Sequence, residues 1–353
     1  MLTAPLKHSY GFNRKGFTQP ISSNRSFPAL SASRDVVHFG QEKASKPLKI
    51  GILVGNIHSS EQVDINRLKE AAEEKGHRVT TIAVEDCHAL IKDGKGTLML
   101  KGKPLEALDI VIPRLGSVPD LKSIVQAELI IDQFRIAGFP LLEDKPDAIS
   151  TAINKFKAHQ AFARNNVSTL NSAFSIKLTA DPNISKLIAN SKQLIVKLVT
   201  GTTGDGVFLT PLEGLKKLLE KLNLKNSPLM IQEFAQEAKG ADMRCVVVGD
   251  KVVGTMGRQA LNNGWKANYT LGAKATHITN LPDTTKELAI NAVKALGLAY
   301  GGVDIINTKD GPAVIEVNAS PNIVGMEGCI GKIMAPAIIQ HVEKYVEQLQ
   351  KTI

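Results

Sequence analysis

Two short segments near the C-terminal end constrain the chain most: Gly301-Gly302-Val303-Asp304-Ile305-Ile306 and Ala313-Val314-Ile315-Glu316-Val317-Asn318-Ala319-Ser320-Pro321, joined by Asn307-Thr308-Lys309-Asp310-Gly311-Pro312. Both are rich in β-branched residues and the link has turn chemistry, so together they predict a β-hairpin. A hairpin centred near Asp310 sets Asp304 opposite Glu316, and period-two alternation puts Asn318 on the face of Glu316. Directly opposed residues hold their Cβ atoms about 4.5–5.5 Å apart. Two carboxylates and an amide at that spacing converge, and a hard cation relieves the repulsion between the acids. Oxygen-only ligation by so few protein groups suits Mg²⁺, which keeps water or phosphate oxygens as its other ligands. The alternative is a surface hairpin with its polar residues facing water, because a one-residue slip in register destroys the convergence.

With 353 residues the chain can build two or three compact units. No stretch approaches the roughly 18–20 apolar residues of a membrane span. Cys87, Cys245 and Cys329 are far apart and odd in number, which suggests buried thiols in a reducing compartment, and no CxxC or Cys/His cluster points to zinc. A cytoplasmic protein is expected, without membrane contact. The formal charge of +9 is unevenly spread. Residues 1–46 carry Lys7, Arg14, Lys15, Arg25, Arg34, Lys43 and Lys46 against Asp35 and Glu42. This stretch lacks apolar periodicity and reads as a disordered basic arm, attracted to an acidic partner such as RNA. It has no continuous apolar core of a secretory signal; an organelle transit peptide shares its scarcity of acids but carries a clear amphipathic helix.

From residue 47 the pattern turns globular. Leu48 to Val54 predicts a buried strand, Val63 to Gly76 an amphipathic helix, Arg78 to Val84 and Leu108 to Ile112 further strands, and Asp120 to Ala137 a second helix. Residues 47–144 are therefore expected to form an α/β domain with a mainly parallel sheet. Gly55-Asn56-Ile57-His58 lacks the GxGxxG spacing of a dinucleotide site. Residues 145–353 predict an α+β domain: a helix over Ser150 to Arg164, strands at Gln193 to Val199, Met230 to Phe234, Met243 to Val248 and Val252 to Met256, a helix over Thr284 to Leu296, the hairpin, and a closing helix over Met334 to Leu349.

Three groups in this second domain suit a nucleotide. Lys197 interrupts an apolar strand that runs into Thr200-Gly201-Thr202-Thr203-Gly204-Asp205-Gly206. Backbone N–H groups at Gly204 and Gly206 can face phosphate oxygens, with Lys197 as a fixed charge, although a plain hairpin turn has the same composition. The end of the Met230 strand at Glu233 and Phe234 offers backbone groups to an adenine edge, and the Asp242 carboxylate can accept from ribose hydroxyls; a simple strand and turn is the competing reading. Lys155, Arg244, Arg258 and Lys266 form a set of cations suited to a phosphate or carboxylate clamp, or to a solvated face.

Taken in order, Gln232-Glu233-Phe234, Gly240-Ala241-Asp242-Met243-Arg244, Arg258-Gln259-Ala260, Gly302-Val303-Asp304 and Glu316-Val317-Asn318-Ala319-Ser320-Pro321 resemble the RimK branch of the ATP-grasp superfamily. The similarity covers roughly residues 48–345 and includes Ile112-Pro113-Arg114-Leu115-Gly116. It implies an N-terminal α/β domain followed by a two-lobed α+β ATP-grasp domain that grips ATP between its lobes. Lys155 and Lys197 are then implied to touch phosphates, the backbone of Glu233 and Phe234 to hold adenine, Asp242 to take the ribose, Lys266 and Asn268 to contact the nucleotide, and Arg258 to act beside the transferring phosphoryl group. Asp304, Glu316 and Asn318 match metal ligands for Mg²⁺ or Mn²⁺, and Arg114 and Arg244 are candidates for substrate. The implied activity is ATP-dependent addition of glutamate, through an acylphosphate, to the C-terminal carboxylate of a protein or peptide, such as a small-subunit ribosomal protein, by a homo-oligomer. A small-metabolite acceptor and a non-catalytic ATP- or RNA-binding module are the alternatives. The chain departs from the family pattern at Lys266-Ala267-Asn268 and Thr270-Leu271-Gly272-Ala273, where Arg-Ser-Asn and Arg-Gly-Gly are expected, and at Pro321-Asn322 in place of Pro-Gly.

Overall fold

The computed structural model describes residues 46–352 apart from 56–58, 116–120, 144, 146, 176–191, 202–205, 223–227, 239, 263 and 268–271. The first unit is a parallel sheet of order β2-β1-β6, made of β1 (Lys49–Val54), β2 (Arg78–Ala83) and β6 (Ile110–Arg114). Helix α1 (Ser59–Glu73) joins the first two strands. Five of the six β1 residues are buried, as expected of a parallel strand covered on both faces.

Between β2 and β6 lies an antiparallel meander that the sequence reading did not anticipate: β3 (Cys87–Lys92), β4 (Lys95–Leu100) and β5 (Lys103–Pro104). Its two tight turns are Asp93-Gly94, with φ of 51° and 71°, and Lys101-Gly102, with φ of 50° and 78°. Positive φ at both central residues is the turn type whose twist matches a hairpin, so Asp-Gly was a legible signal. Helix α2 (Leu121–Ile136) packs on this meander.

The helix expected over 150–164 is two helices, α3 (Ala148–Ile153) and α4 (Lys155–Arg164). Asn154 between them is extended, and its side chain accepts from the N–H groups of Phe156 and Lys157, an N-cap that starts a new helix at Lys155. An antiparallel sheet of order β7-β10-β8-β9 follows, built from β7 (Ser172–Ser175), β8 (Gln193–Leu198), β9 (Val207–Pro211) and β10 (Leu229–Glu233). Helix α5 (Leu215–Lys221) closes its outer face with Leu215 and Leu219 against Leu194, Val196, Leu229 and Ile231.

The second antiparallel sheet has the order β13-β12-β11-β14-β15, with β11 (Ala241–Val248), β12 (Lys251–Gln259), β13 (Lys274–His277), β14 (Tyr300–Thr308) and β15 (Gly311–Asn318). Helix α6 (Asp283–Leu296) is one cover: its Ala292 and Val293 join Val303, Ile305 and Val314. Helices α7 (Ile323–Ile330) and α8 (Met334–Thr352) are another, with Ile338 and Ile339 in a cluster that also contains Ile50 and Ile52 of β1. That shared core ties the N-terminal sheet to the C-terminal helices. No single helix among the described residues is long and apolar enough to cross a membrane.

Candidate functional site

A cavity opens between the four-stranded and five-stranded sheets, and both contribute charged groups to it. Lys197 points into it from the middle of β8 and is buried; its ammonium donates to Gln232 Oε1 on the neighbouring β10 at 2.7 Å. Burial pulls the Lys197 pKa down to about 8, and Lys155 pulls the same way, against the opposing pull of Glu316 and Asp304. Lys155 comes from the first turn of α4, where the Asn154 cap places it, and donates to the Gly201 carbonyl at 2.6 Å. Burial also lowers its pKa, with Glu316 opposing.

Facing the lysines, β11, β12 and β14 carry alternating acids and arginines. Asp242 on β11 is paired in register with Arg258 on β12, and Arg244 on β11 with Asp304 on β14. Both pairs are bidentate: Arg258 Nε and Nη2 reach Asp242 at 2.6 and 2.7 Å, and Arg244 Nε and Nη2 reach Asp304 at 2.7 and 2.6 Å. Arg258 Nη2 also lies 3.0 Å from Asp304 Oδ2, which links the four residues. Burial acts to raise the Asp304 carboxyl, but Arg244 and Arg258 outweigh it and hold it at about 2. Asp242 goes the other way, to about 6, because burial and the neighbouring Asp304 charge exceed what Arg258 supplies.

Asp304 pairs with Glu316, and Gly302 with Asn318. The route to that register differs from the expected one. The turn pairs Thr308 with Gly311, so its centre falls before Asp310, and an unbroken ladder would set Asp304 against Ile315. A bulge shifts the register between Asp304 and Ile305, leaving Ile315 as the extra residue. Glu316 and Asn318 thereby line the cavity beside Asp304.

Whether these groups suit a divalent cation depends on their oxygens. Asn318 Nδ2 points at the Gly302 carbonyl, 3.4 Å, and Glu316 Oε1, 3.3 Å, which leaves Asn318 Oδ1 as its ligand-capable atom. Glu316 shares the cavity with both lysines but forms no salt bridge among the described residues. Among those residues no group of three or more His, Cys, Asp or Glu side chains is placed to hold a metal; the set here is two acids and an amide. Oxygen donors of this kind fit Mg²⁺.

Glu233, Phe234 and Lys266 also line the cavity. The Glu233 carboxylate is taken by the N–H and Nδ2 of Asn171, each at 3.0 Å, and its own N–H donates to the Asn171 carbonyl at 3.1 Å. Both oxygens of Asp242 are committed to Arg258, so a ribose hydroxyl would have to share them. Gly206 does not line the cavity: its φ of 73° and its packing on Leu198 account for glycine there. Gly204 and Asn268 lie outside the described residues. Arg244 acts on the cavity through Asp304 rather than lining it. Arg114, expected near substrate, does not line this cavity. It is buried between Asp64 Oδ2, 3.4 Å, and the Pro321 carbonyl, 3.1 Å, where it braces the loop after Asn318 against α1. Among the lining residues not expected in the site are Gln232, His159 and Trp265, the only tryptophan of the chain. Trp265 meets Phe234 edge-on at 6.4 Å, with Lys266 Nζ 5.1 Å from its ring centre. A polar residue that directly follows the apolar run Leu229-Met230-Ile231 of β10 was the available sign for Gln232.

The pattern of the RimK-like ATP-grasp domain matches residues 152–342, and that of the RimK PreATP-grasp domain residues 48–149. A probable alpha-L-glutamate ligase of Stutzerimonas stutzeri is 36% identical over 280 residues, 79% of this chain and 90% of that protein. A second, from Xanthomonas euvesicatoria, is 35% identical over 303 residues, 85% of this chain and 99% of that protein. Among solved structures, the ATP-grasp ligase PsnB complexed with a phosphomimetic variant of its minimal precursor, Mg and ADP superposes with a TM-score of 0.62 at 18% identity, covering 86% of this chain and 100% of that one. D-alanine–D-alanine ligase from Bacillus anthracis complexed with ATP gives 0.61 at 17% identity, covering 86% and 99%. Those two likenesses show the fold alone. With both domain patterns matched in order and relatives above one-third identity over most of its length, the chain belongs to the RimK family of ATP-grasp proteins and is an ATP-dependent ligase.

Proposed function

We propose that this ligase adds an amino acid, glutamate by its likeness to the named relatives, to a carboxylate at the end of a peptide or protein. The observation that carries the reading is the convergence of Lys155, Lys197, Arg258, Asp304, Glu316 and Asn318 on one cavity between two sheets. A carboxylate is a poor electrophile. Its oxygen attacks the γ-phosphorus of ATP, the bond to the bridging oxygen breaks, and ADP leaves an acylphosphate. The amine of the amino acid then attacks the acyl carbon, phosphate departs with the bonding pair, and the amine loses a proton. Lys155 and Lys197 suit the phosphates, and Arg258, held rigidly by two aspartates, suits the charge spreading over the transferring group. When bound, Mg²⁺ at Asp304, Glu316 and Asn318 offsets phosphate charge.

The test is an ADP-release screen of the purified protein with each amino acid, alone and with acceptor peptides ending in glutamate, followed by mass spectrometry. The expected result is release that requires both substrates and a mass gain of one glutamate residue on the peptide. Release with a small acid in place of every peptide transfers the reading to a metabolite acceptor. ATP binding without ADP release in any combination overturns it.

A pH dependence follows from Lys197. Its free-state pKa of about 8 lies below the ordinary lysine value because of burial, so above pH 8 the ammonium must regain a proton to hold phosphate. ATP affinity is expected to be flat below pH 8 and to weaken by about tenfold per pH unit above it. Fluorescence of Trp265, titrated with ATP from pH 6.5 to 9.5, reads this directly. Affinity that stays constant across the range removes Lys197 from the phosphate site.

A further inference from the structure

The bulge in β15 lies on the edge strand of its sheet and meets groups from outside that sheet. Strict alternation would keep Ala313, Ile315 and Val317 on one face and send Val314, Glu316 and Asn318 to the other. Instead Val314, Val317 and Ala319 all belong to the α6-side core, a spacing of three and then two that only the extra residue Ile315 allows. The extra residue therefore turns Glu316 and Asn318 out of the core and toward Asp304. β15 is the edge strand of its sheet, so the outward backbone groups beside the bulge need partners elsewhere, and at Val314 they find them in a parallel bridge to Thr169. The Val314 N–H donates to the Ser168 carbonyl at 2.9 Å, and its carbonyl accepts from Thr169 Oγ1 at 2.8 Å. His159 of α4 places Nε2 3.3 Å from the Ile315 carbonyl and Nδ1 2.9 Å from Thr169 Oγ1. A carbonyl only accepts, so Nε2 carries the proton and Nδ1 accepts, which leaves the single Thr169 hydroxyl proton to serve either Nδ1 or the Val314 carbonyl, both within reach of Oγ1. The imidazole is 6% exposed and takes no part in the chemistry described above.

We infer that His159 and Thr169 are positioning residues: they clamp the bulge at Val314 and Ile315, and so set the register that presents Glu316 and Asn318 to the cavity. The consequence for metal rests on the reading of Asp304, Glu316 and Asn318 as its ligands; the geometric claim does not. Loss of the clamp lets β15 slip by one residue into a straight ladder, with Glu316 facing the α6 core. Because a buried carboxylate resists that position, the slipped strand is expected to exchange between registers rather than settle.

The geometric claim is tested with Glu316→Cys as a reporter. Residue 316 reacts with a water-soluble maleimide while it faces the cavity, and adding His159→Ala or Thr169→Val is expected to slow that reaction several-fold. Peptide mass spectrometry separates it from labelling at Cys329, and Cys87 and Cys245 are buried. Thr169→Val keeps the side-chain shape, so it carries the test should His159→Ala fail to fold. Unchanged labelling in folded variants overturns the inference. In the chain with Glu316 intact, His159→Ala is expected to weaken Mn²⁺ binding in the presence of ADP, read by electron paramagnetic resonance, by about tenfold, the scale of lost support to a ligand. His159→Gln, whose amide can donate to the Ile315 carbonyl, is expected to recover part of the metal affinity, and a variant that binds the metal no better than His159→Ala overturns the positioning role. Asp304→Asn and Glu316→Gln tell the two ideas apart. If neither changes Mn²⁺ affinity while labelling still slows, the clamp stands and the metal assignment falls.

Discussion

Replacing Lys197 with methionine is expected to lower kcat/KM for ATP by about a hundredfold or more, the scale of one lost electrostatic contact in a closed site, while the melting temperature moves by only a few degrees. Two opposing terms give the second half of that statement. The ammonium sits in the cavity against Gln232 of β10, and its pKa falls from 10.5 to about 8 on burial. At neutral pH that drop corresponds to a folding penalty of about 3 kcal/mol. Methionine removes the penalty and keeps most of the volume. It also strips Gln232 Oε1 of its donor in a residue that is 1% exposed, which costs about 1–3 kcal/mol. The sign of the pH dependence follows from the depressed pKa. The penalty is complete below pH 8 and disappears as pH rises toward 10.5, so the parent gains on the variant over that window. Calorimetry of both proteins from pH 7 to 10, beside steady-state ADP release, checks it. A variant that binds ATP normally, or one that unfolds outright, refutes the assignment of a charge kept for function at the expense of stability.

The strands that carry the site were legible because their signals are local. The apolar run around Lys197 and the β-branched segments on either side of Lys309-Asp310 specify strand and turn within a few residues. What stayed hidden is set by distant partners. The Asp304–Glu316 pairing was reached from a turn centre placed half a residue late, and the bulge at Ile315 shifts the register by the compensating amount. Nothing in residues 300–321 signals that bulge, because the groups inferred to hold it, Thr169 and His159, lie 145 and 156 residues away in the chain. The bidentate Arg244–Asp304 pair spans 60 residues and was equally out of reach. Arg114 shows the converse. Its motif was visible, but a conspicuous arginine reads the same whether it holds substrate or the Pro321 carbonyl. The break at Asn154 was written in the sequence as an N-cap residue ahead of Lys155, but the apolar period on both sides of it favoured one continuous helix.

Asp304 carries two burdens that a single substitution removes together, and a second substitution separates them. Asp304→Asn is expected to reduce ADP release by on the order of a thousandfold, since in the proposed site a carboxylate charge toward a phosphate-bound cation is worth several kcal/mol in the transition state. The same change leaves Arg244 without its carboxylate and Arg258 with Asp242 alone. Removing one partner of a buried pair costs about 3–5 kcal/mol, and the lower end applies because asparagine still accepts one hydrogen bond and the Arg244 side chain is 15% exposed. Adding Arg244→Met takes away the unpaired guanidinium. The double variant is expected to regain most of the lost melting temperature and none of the lost activity. Recovery of activity along with stability would mean that Asp304 serves only to neutralise two arginines. A thermal shift by Mg²⁺ and ADP distinguishes the outcomes without turnover: the parent is stabilised more by both together than by ADP alone, and the double variant responds to ADP only. In the parent, the low Asp304 pKa of about 2, set by Arg244 and Arg258 against burial, keeps the carboxylate ionised across the working range. Its contribution to stability is therefore present above pH 4 and fades only as pH falls toward 2, so a loss of metal response between pH 6 and 8 would have to come from another ligand.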